Sequence, residues 1–191
     1  YIGLGTDFPR RLYTLDLWKP VPRIIYAPSQ KWLSRLHLAQ VKDFNTITPE
    51  GERIEGHLYY PPGFNPRKKY PMIVYYYGGT FPTPRYFDGS YSFQWWAANG
   101  YFVYVIQPSG AIGYGQNHAA HHVNEWGSIV ADQIIQGTKK VLAAHPFIDG
   151  KRMGCLGASY GGFMTMYLVT RTKMFSAAIS HAGISNLASY W

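Results

Sequence analysis

The sequence predicts an α/β fold built on a doubly wound, mostly parallel sheet, and two patterns lead to this prediction. Near-continuous apolar runs are typical of strands buried on both faces of such a sheet. They occupy residues 72–77, 101–107, 152–156 and 175–180. Helical patterns lie between the runs, at residues 93–98, 129–144 and 162–172. The resulting β-α-β alternation predicts helices on both faces of the sheet.

The elements before this region have strand patterns. Residues 11–17 alternate between apolar and polar side chains until two prolines interrupt the pattern. Residues 42–48 and 52–60 alternate again around a Pro-Glu-Gly turn, which predicts a hairpin. In the long helical segment, Val130, Ile134 and Val141 fall near one face. This spacing predicts an amphipathic helix packed on the sheet.

Composition limits the classes of function. The 191 residues carry a net charge of +8, but the basic residues are scattered in pairs and form no stripe, which argues against nucleic-acid binding. The lone Cys155 excludes a disulfide within the chain. No apolar run approaches the roughly 18 residues of a membrane span. The length predicts one domain with a sizeable core, or one domain plus a piece of another.

The strongest chemical signal is the segment Gly157-Ala158-Ser159-Tyr160-Gly161-Gly162. It follows a predicted buried strand and opens a predicted helix. A serine projected from a sharp strand-to-helix turn needs small neighbours, which the glycines provide. The helix N-terminus adds unpaired N–H groups where an oxyanion would form. We therefore predict that Ser159 is a nucleophile.

A second signal lies at the end of the first buried strand, in Tyr75-Tyr76-Tyr77-Gly78-Gly79. Lipases and esterases commonly place a His-Gly-Gly-Gly run here, and a backbone N–H from it completes the oxyanion hole. Tyr77 stands in the place of the histidine, and its phenol can donate a hydrogen bond to an oxyanion. Tyr75 and Tyr76 are predicted to be strand and core residues.

Three histidines, His118, His121 and His122, sit at helical spacing, with Glu125 as the nearest carboxylate in sequence. Metal sites need a more complete ligand set, so we predict a surface helix and no metal.

Together the motifs resemble the catalytic domain of the prolyl oligopeptidase family of serine peptidases, in particular its acylaminoacyl-peptidase and dipeptidyl-peptidase branches. The resemblance spans residues 41–191. It rests on the serine motif and on four further segments, Glu-Arg-Ile-Glu-Gly-His-Leu-Tyr-Tyr-Pro-Pro-Gly-Phe at 52–64, Tyr-Gly-Gly at 77–79, Ile-Gly-Tyr-Gly at 112–115 and Trp-Gly at 126–127. It implies an α/β-hydrolase peptidase domain over residues 39–191, with residues 1–38 as the end of an N-terminal β-propeller and its linker.

The resemblance also implies roles for individual residues. Ser159 is the implied nucleophile, and the Tyr77 hydroxyl and the Tyr160 backbone N–H are the implied oxyanion donors. Ile184, Leu187 and Tyr190 occupy places that help wall the substrate pocket. No metal or organic cofactor is implied.

The chain departs from the family pattern after Ser159. Hydrolases of this fold order their triad Ser, Asp, His, yet no Asp or Glu follows Ser159 and His181 is the only later histidine. His181 comes early, so we predict a structural or pocket-lining role for it. The expectation is a domain truncated at its C-terminus, with the triad Asp and His beyond Trp191 and the fragment alone inactive.

The implied activity is cleavage of short peptides through an acyl-enzyme. Two alternatives stay open. One is an esterase or lipase on the same fold, against which Tyr77-Gly78-Gly79 argues; the other is a catalytically inactive, hydrolase-like interaction module. The sequence does not fix residue preference, oligomeric state or compartment, although related bacterial enzymes imply the cytoplasm or periplasm.

Overall fold

The computed structural model describes residues 1–189. Its strands are β1 Ile2–Gly3, β2 Arg11–Thr14, β3 Arg23–Tyr26, β4 Gln40–Asp43, β5 Thr46–Ile47, β6 Arg53–Tyr60, β7 Tyr70–Tyr75, β8 Phe102–Gln107, β9 Ile148–Ala158 and β10 Ala177–His181. Its helices are α1 Gln30–Leu33, α2 Phe93–Ala98, α3 Gln116–Ala120, α4 Ser128–Ala144 and α5 Tyr160–Arg171. No helix among these residues is long and apolar enough to cross a membrane.

The main sheet has the strand order β10-β9-β7-β8-β6-β4, and β5 pairs with β6. Strands β7 to β10 pair in parallel, whereas β4, β5 and β6 are antiparallel to their partners. The sheet is therefore mixed, and the four predicted apolar runs form its parallel part. The predicted hairpin also forms, with Thr46 opposite Ile54 and the Thr48 N–H donating to the carbonyl of Glu52.

Helices cover both faces of the sheet, as predicted for a doubly wound fold. The central strand β8 shows the division, because all six of its residues are buried. Phe102, Tyr104 and Ile106 pack with α4 and α5, and Val103 and Val105 pack with α2. The amphipathic helix prediction is confirmed, since the three apolar residues chosen for the inner face of α4 are at most 2% exposed.

The burial of one predicted strand differs from the expectation. The run at 175–180 was expected to be buried on both faces, but every residue of β10 is exposed. Among the described residues, β10 is the outermost strand of this edge and pairs only with β9, while α5 packs against it. Within residues 1–189, this arrangement leaves the side chains of β10 exposed.

The first 26 residues form a separate antiparallel sheet in the order β1-β2-β3. This sheet segment contacts the main body through the stretch between β7 and α2. The Phe87 N–H donates to the Gly5 carbonyl at 2.7 Å, and Arg10 forms an ion pair with Asp88 at 3.2 Å. The predicted strand at 11–17 ends earlier, at Thr14.

Candidate active site

Ser159 occupies the turn between β9 and α5. Its backbone has φ 57° and ψ −116°, in the left-handed region that a non-glycine residue seldom adopts. Three hydrogen bonds hold this turn. The Ser159 N–H donates to the His181 carbonyl at 2.9 Å, and the Ser159 carbonyl accepts from the Gly162 N–H at 2.9 Å and from the Phe163 N–H at 3.1 Å. A serine in such a strained turn is exposed at the end of the sheet instead of lying in the sheet.

The glycines around Ser159 allow backbone segments to touch without side chains between them. A Cβ atom on Gly157 would lie 2.4 Å from the Gly161 carbonyl oxygen. A Cβ atom on Gly161 would lie 2.7 Å from the carbonyl oxygen of Tyr76, and one on Gly162 would lie 2.6 Å from the Cα atom of Gly183. The first turn of α5 is therefore fitted between the ends of β7 and β10.

A cavity of about 180 Å³ adjoins Ser159. Its walls are predominantly aromatic. They comprise Tyr75, Tyr77, Pro84, Tyr86, Gly89, Ser90, Tyr91, Phe93, Ala158 and Ser159. The structure thus brings Tyr77 and Ser159, the two residues predicted from separate motifs, to the same cavity.

The three consecutive tyrosines at the end of β7 have different surroundings. Tyr76 is fully buried and its hydroxyl hydrogen-bonds with the Thr165 hydroxyl at 2.9 Å. Burial raises the pKa of the Tyr76 phenol. Tyr75 is buried as well, so the prediction that Tyr75 and Tyr76 are core residues is confirmed. Tyr77 is only half-buried, and its N–H donates to the Thr83 hydroxyl at 3.3 Å.

The Tyr160 side chain points into the core, and its backbone N–H lies at the start of α5. Its ring packs against Trp126, His122 and Phe163, and burial raises the pKa of its phenol. The Tyr160 N–H belongs to the first helical residue and has no acceptor within the helix. The positive end of the helix dipole lies at the same point, so an anion beside Ser159 is favoured there.

The structure describes two of the three residues that were predicted to form a wall of the substrate pocket. Ile184 and Leu187 are half-buried in the segment after β10 and are not among the described residues that line the cavity. Tyr190 lies outside the described residues. Their roles stay predictions.

Tyr86 and Tyr91 also line the cavity, and no sequence motif predicted them. The available signal was the aromatic-rich run at 86–93, immediately downstream of the tyrosine motif. Tyr91 also hydrogen-bonds through its hydroxyl to Nδ1 of His181. His181 thus contacts Ser159 through its carbonyl and the cavity wall through its ring. Within residues 1–189, Ser159 Oγ has no hydrogen-bond partner.

The surface helix predicted at the histidine cluster forms as α3, with Gln116, Asn117 and Ala120 exposed, but His118 lies on its inner face. His118 is 7% exposed, and its Nδ1 lies 2.8 Å from Oε1 of Glu52, while Nδ1 of His121 lies 3.2 Å from Oε2 of the same carboxylate. Burial of His118 was unpredictable because Glu52 is distant in sequence. Glu125 instead accepts hydrogen bonds from the N–H and hydroxyl of Ser128, which lower the pKa of Glu125. The described residues contain no group of three or more His, Cys, Asp or Glu suited to hold a metal ion.

A mixed sheet with helices on both faces, and a serine on a strained strand-to-helix turn, define the α/β-hydrolase class. Residues 86–191 match the prolyl oligopeptidase family. The chain is 32% identical over 187 residues to an uncharacterized peptidase of Bacillus subtilis, a match covering 96% of this chain and 28% of that relative. It is 31% identical over 186 residues to dipeptidyl-peptidase 5 of Porphyromonas gingivalis, covering 95% and 27%.

Solved structures agree with these matches. The acylaminoacyl peptidase of Pyrococcus horikoshii superimposes with a TM-score of 0.84 at 26% identity, over 97% of this chain and 29% of that chain. An acylaminoacyl peptidase in complex with Z-Gly-Gly-Phe-chloromethyl ketone gives a TM-score of 0.87 at 27% identity, over 100% and 30%. The chain belongs to the prolyl oligopeptidase family of peptidases, and it spans less than a third of the length of these relatives.

The glycine contacts at Ser159 lead to a stability prediction. Gly157→Ala should lower the free energy of unfolding by about 1–3 kcal/mol, because the new methyl group overlaps the Gly161 backbone. Gly154→Ala in the same strand is the control, since its Cβ would lie 3.5 Å from the nearest atom, the Ala177 carbonyl oxygen. Thermal unfolding of both variants measures the difference. Equal melting temperatures for the two variants would show that the turn is not tightly packed.

Proposed function

We propose that this protein is a serine peptidase that cleaves short peptides through an acyl-enzyme on Ser159. The observation that carries the proposal is the position of Ser159, on a strained turn at the N-terminus of α5 and at the wall of an aromatic cavity. Membership of a peptidase family supports the reaction class. Ser159 Oγ attacks the carbonyl carbon of the scissile bond, and the amine product leaves before water hydrolyses the ester.

The oxyanion of the tetrahedral intermediate is stabilised by two donors in this proposal, the Tyr77 hydroxyl and the Tyr160 N–H. Tyr77 shares the cavity with Ser159, and the Tyr160 N–H is an unpaired donor at the helix terminus. Gly79 supports this arrangement, because a Cβ atom there would lie 2.8 Å from the Tyr77 ring and 3.0 Å from the Tyr160 ring. Glycine at this position therefore lets both tyrosines approach each other.

The base that activates Ser159, and the carboxylate that orients the base, are proposed to lie outside these 191 residues. No Asp or Glu follows Ser159 in the sequence, and His181 is bonded to Tyr91. We therefore expect the 191-residue chain alone to be inactive towards peptides, because an unassisted serine hydroxyl is a weak nucleophile.

Two further proposals concern domain organisation and substrate. Residues 1–38 are proposed to be the end of a β-propeller with its linker, and residues 39–191 the catalytic domain. The separate antiparallel sheet of residues 2–26 supports this division.

Short peptides are the proposed substrates, since the relatives include proteins named dipeptidyl-peptidase 5 and acylaminoacyl peptidase.

Ser159→Ala tests the nucleophile. In the full-length protein, this change should reduce kcat on dipeptidyl and acylaminoacyl nitroanilides by about 10⁴-fold or more, because the group that forms the acyl-enzyme is lost. Ser34→Ala, an exposed serine at the end of α1, is the control. The matching esters are assayed in parallel. Hydrolysis of the esters without hydrolysis of the nitroanilides would favour an esterase. A wild-type protein that hydrolyses neither would favour an interaction module.

Tyr77→Phe tests the side-chain oxyanion donor against a matched neighbour. Removing the Tyr77 hydroxyl should lower kcat by about 10²–10³-fold with little change in KM, since the hydrogen bond forms only in the transition state. Tyr76→Phe removes a buried hydroxyl that bonds Thr165, so it should reduce stability by about 1 kcal/mol and leave kcat nearly unchanged. Equal loss of kcat in the two variants would exclude a specific role for Tyr77.

A further inference from the structure

The segment between β7 and α2, residues 76–92, carries much of the cavity wall and has little secondary structure. Pro84, Tyr86 and Tyr91 of this segment line the cavity beside Ser159. A wall built on a loop keeps its shape only where the loop is tied to a rigid element. Arg85 lies between Pro84 and Tyr86 in the sequence and makes polar contacts that tie this part of the loop to β6.

Arg85 bonds to β6 through its side chain and its backbone. Its Nη1 donates to Oε2 of Glu55 at 3.0 Å and lies 2.8 Å from Nε2 of His57. Its Nη2 lies 3.5 Å from the Tyr114 hydroxyl, which donates to the same Glu55 oxygen at 3.3 Å. The Tyr59 hydroxyl donates to the Arg85 carbonyl at 3.3 Å. One residue of the loop thus contacts three residues of a central antiparallel strand.

His57 takes part in this contact only as a neutral imidazole. Its Nδ1–H donates to the carboxylate of Asp43 at 2.9 Å, which leaves Nε2 as the acceptor for Arg85. Burial is the main cause that lowers the pKa of His57, and the Arg85 charge adds to it. Asp43 and Glu55 oppose this shift.

Other contacts fix other parts of the segment 76–92. Thr83 is buried and fixes the first part, since its hydroxyl donates to the Ile106 carbonyl at 3.0 Å and accepts from the Tyr77 N–H. On the far side, the Arg10–Asp88 ion pair is solvent-exposed and contributes little. The Phe87 N–H also donates to the Gly5 carbonyl, so these contacts fix the residues on either side of Pro84 and Tyr86, and Arg85 holds the residue between the two.

We propose that Arg85 is a positioning residue for the substrate: its bonds to Glu55 and His57 on β6 hold Pro84 and Tyr86 in the cavity wall beside Ser159. This inference rests on the proposed peptidase function and adds to it a residue that acts on substrate binding without touching the reacting atoms. Protonation of His57 would place an N–H opposite the Arg85 guanidinium and remove one of the two bonds.

The kinetic test uses the full-length protein with a nitroanilide substrate. Arg85→Met should raise KM about tenfold and change kcat by less than about twofold, because the cavity wall shifts while Ser159 and its donors stay in place. Arg53→Met is the matched control, since Arg53 is on β6 and reaches the same Glu55, at 4.0 Å, from the exposed surface. Arg53→Met should leave KM unchanged. An unchanged KM in Arg85→Met, or a loss confined to kcat, would overturn the proposal.

The pH dependence of KM separates positioning from a general structural role. In the wild type, KM should rise at a pH lower than the ordinary histidine pKa of about 6.5, because burial lowers the pKa of His57 and the protonated ring ceases to accept from Arg85. His57→Gln offers a side-chain oxygen that does not titrate, so its KM should stay level over the same range. An identical rise of KM in His57→Gln would contradict the role given to His57 and Arg85.

Hydrogen exchange gives a readout that does not depend on catalysis. Backbone amides of residues 81–92 should exchange faster in Arg85→Met than in the wild type or Arg53→Met, and Arg85→Lys should lie between them. If the wild-type protein hydrolyses no peptide, the proposed function fails and this exchange difference still decides whether Arg85 holds the loop. Equal protection in all the variants would overturn the proposal.

Discussion

The site depends on one packing constraint, the direct contact of the first turn of α5 with the backbone at the ends of two neighbouring strands. Because β9 lies between β7 and β10, the turn that follows β9 emerges between the ends of both. Glycine at 157, 161 and 162 removes every Cβ atom that would separate these segments. The strain at Ser159 is held by this contact and by the hydrogen bond to the His181 carbonyl.

In the proposed active site, the binding surface and the reacting groups come from different parts of the fold. The strand ends and α5 supply Ser159, Tyr77 and the Tyr160 N–H, which are fixed by backbone packing. The loop after β7 supplies the aromatic wall, which is fixed by polar side chains behind it. The described cavity lining contains no Asp, Glu, His, Lys or Arg, whereas Glu55 and His57 on β6 contact Arg85 behind it. In this proposal, a change of charge on His57 acts on substrate binding without acting on Ser159.

Sequence patterns predicted the features that depend on residues close together along the chain. The apolar runs, the inner face of α4 and the glycine spacing around Ser159 each describe contacts within one element or between adjacent elements. Features that depend on distant partners were not predictable. His118 is buried against Glu52, and Tyr91 in the cavity wall hydrogen-bonds with His181. A single sequence does not specify which distant segments meet.

The central claim is that Ser159 is an activated nucleophile, and reaction with a fluorophosphonate tests it most directly. The full-length protein is treated with the reagent, and the adduct is located by mass spectrometry of its peptides. We predict an adduct on the peptide that contains Ser159, and its loss in Ser159→Ala. A folded protein that forms no adduct, or one that is modified at another serine with Ser159 untouched, would contradict the claim.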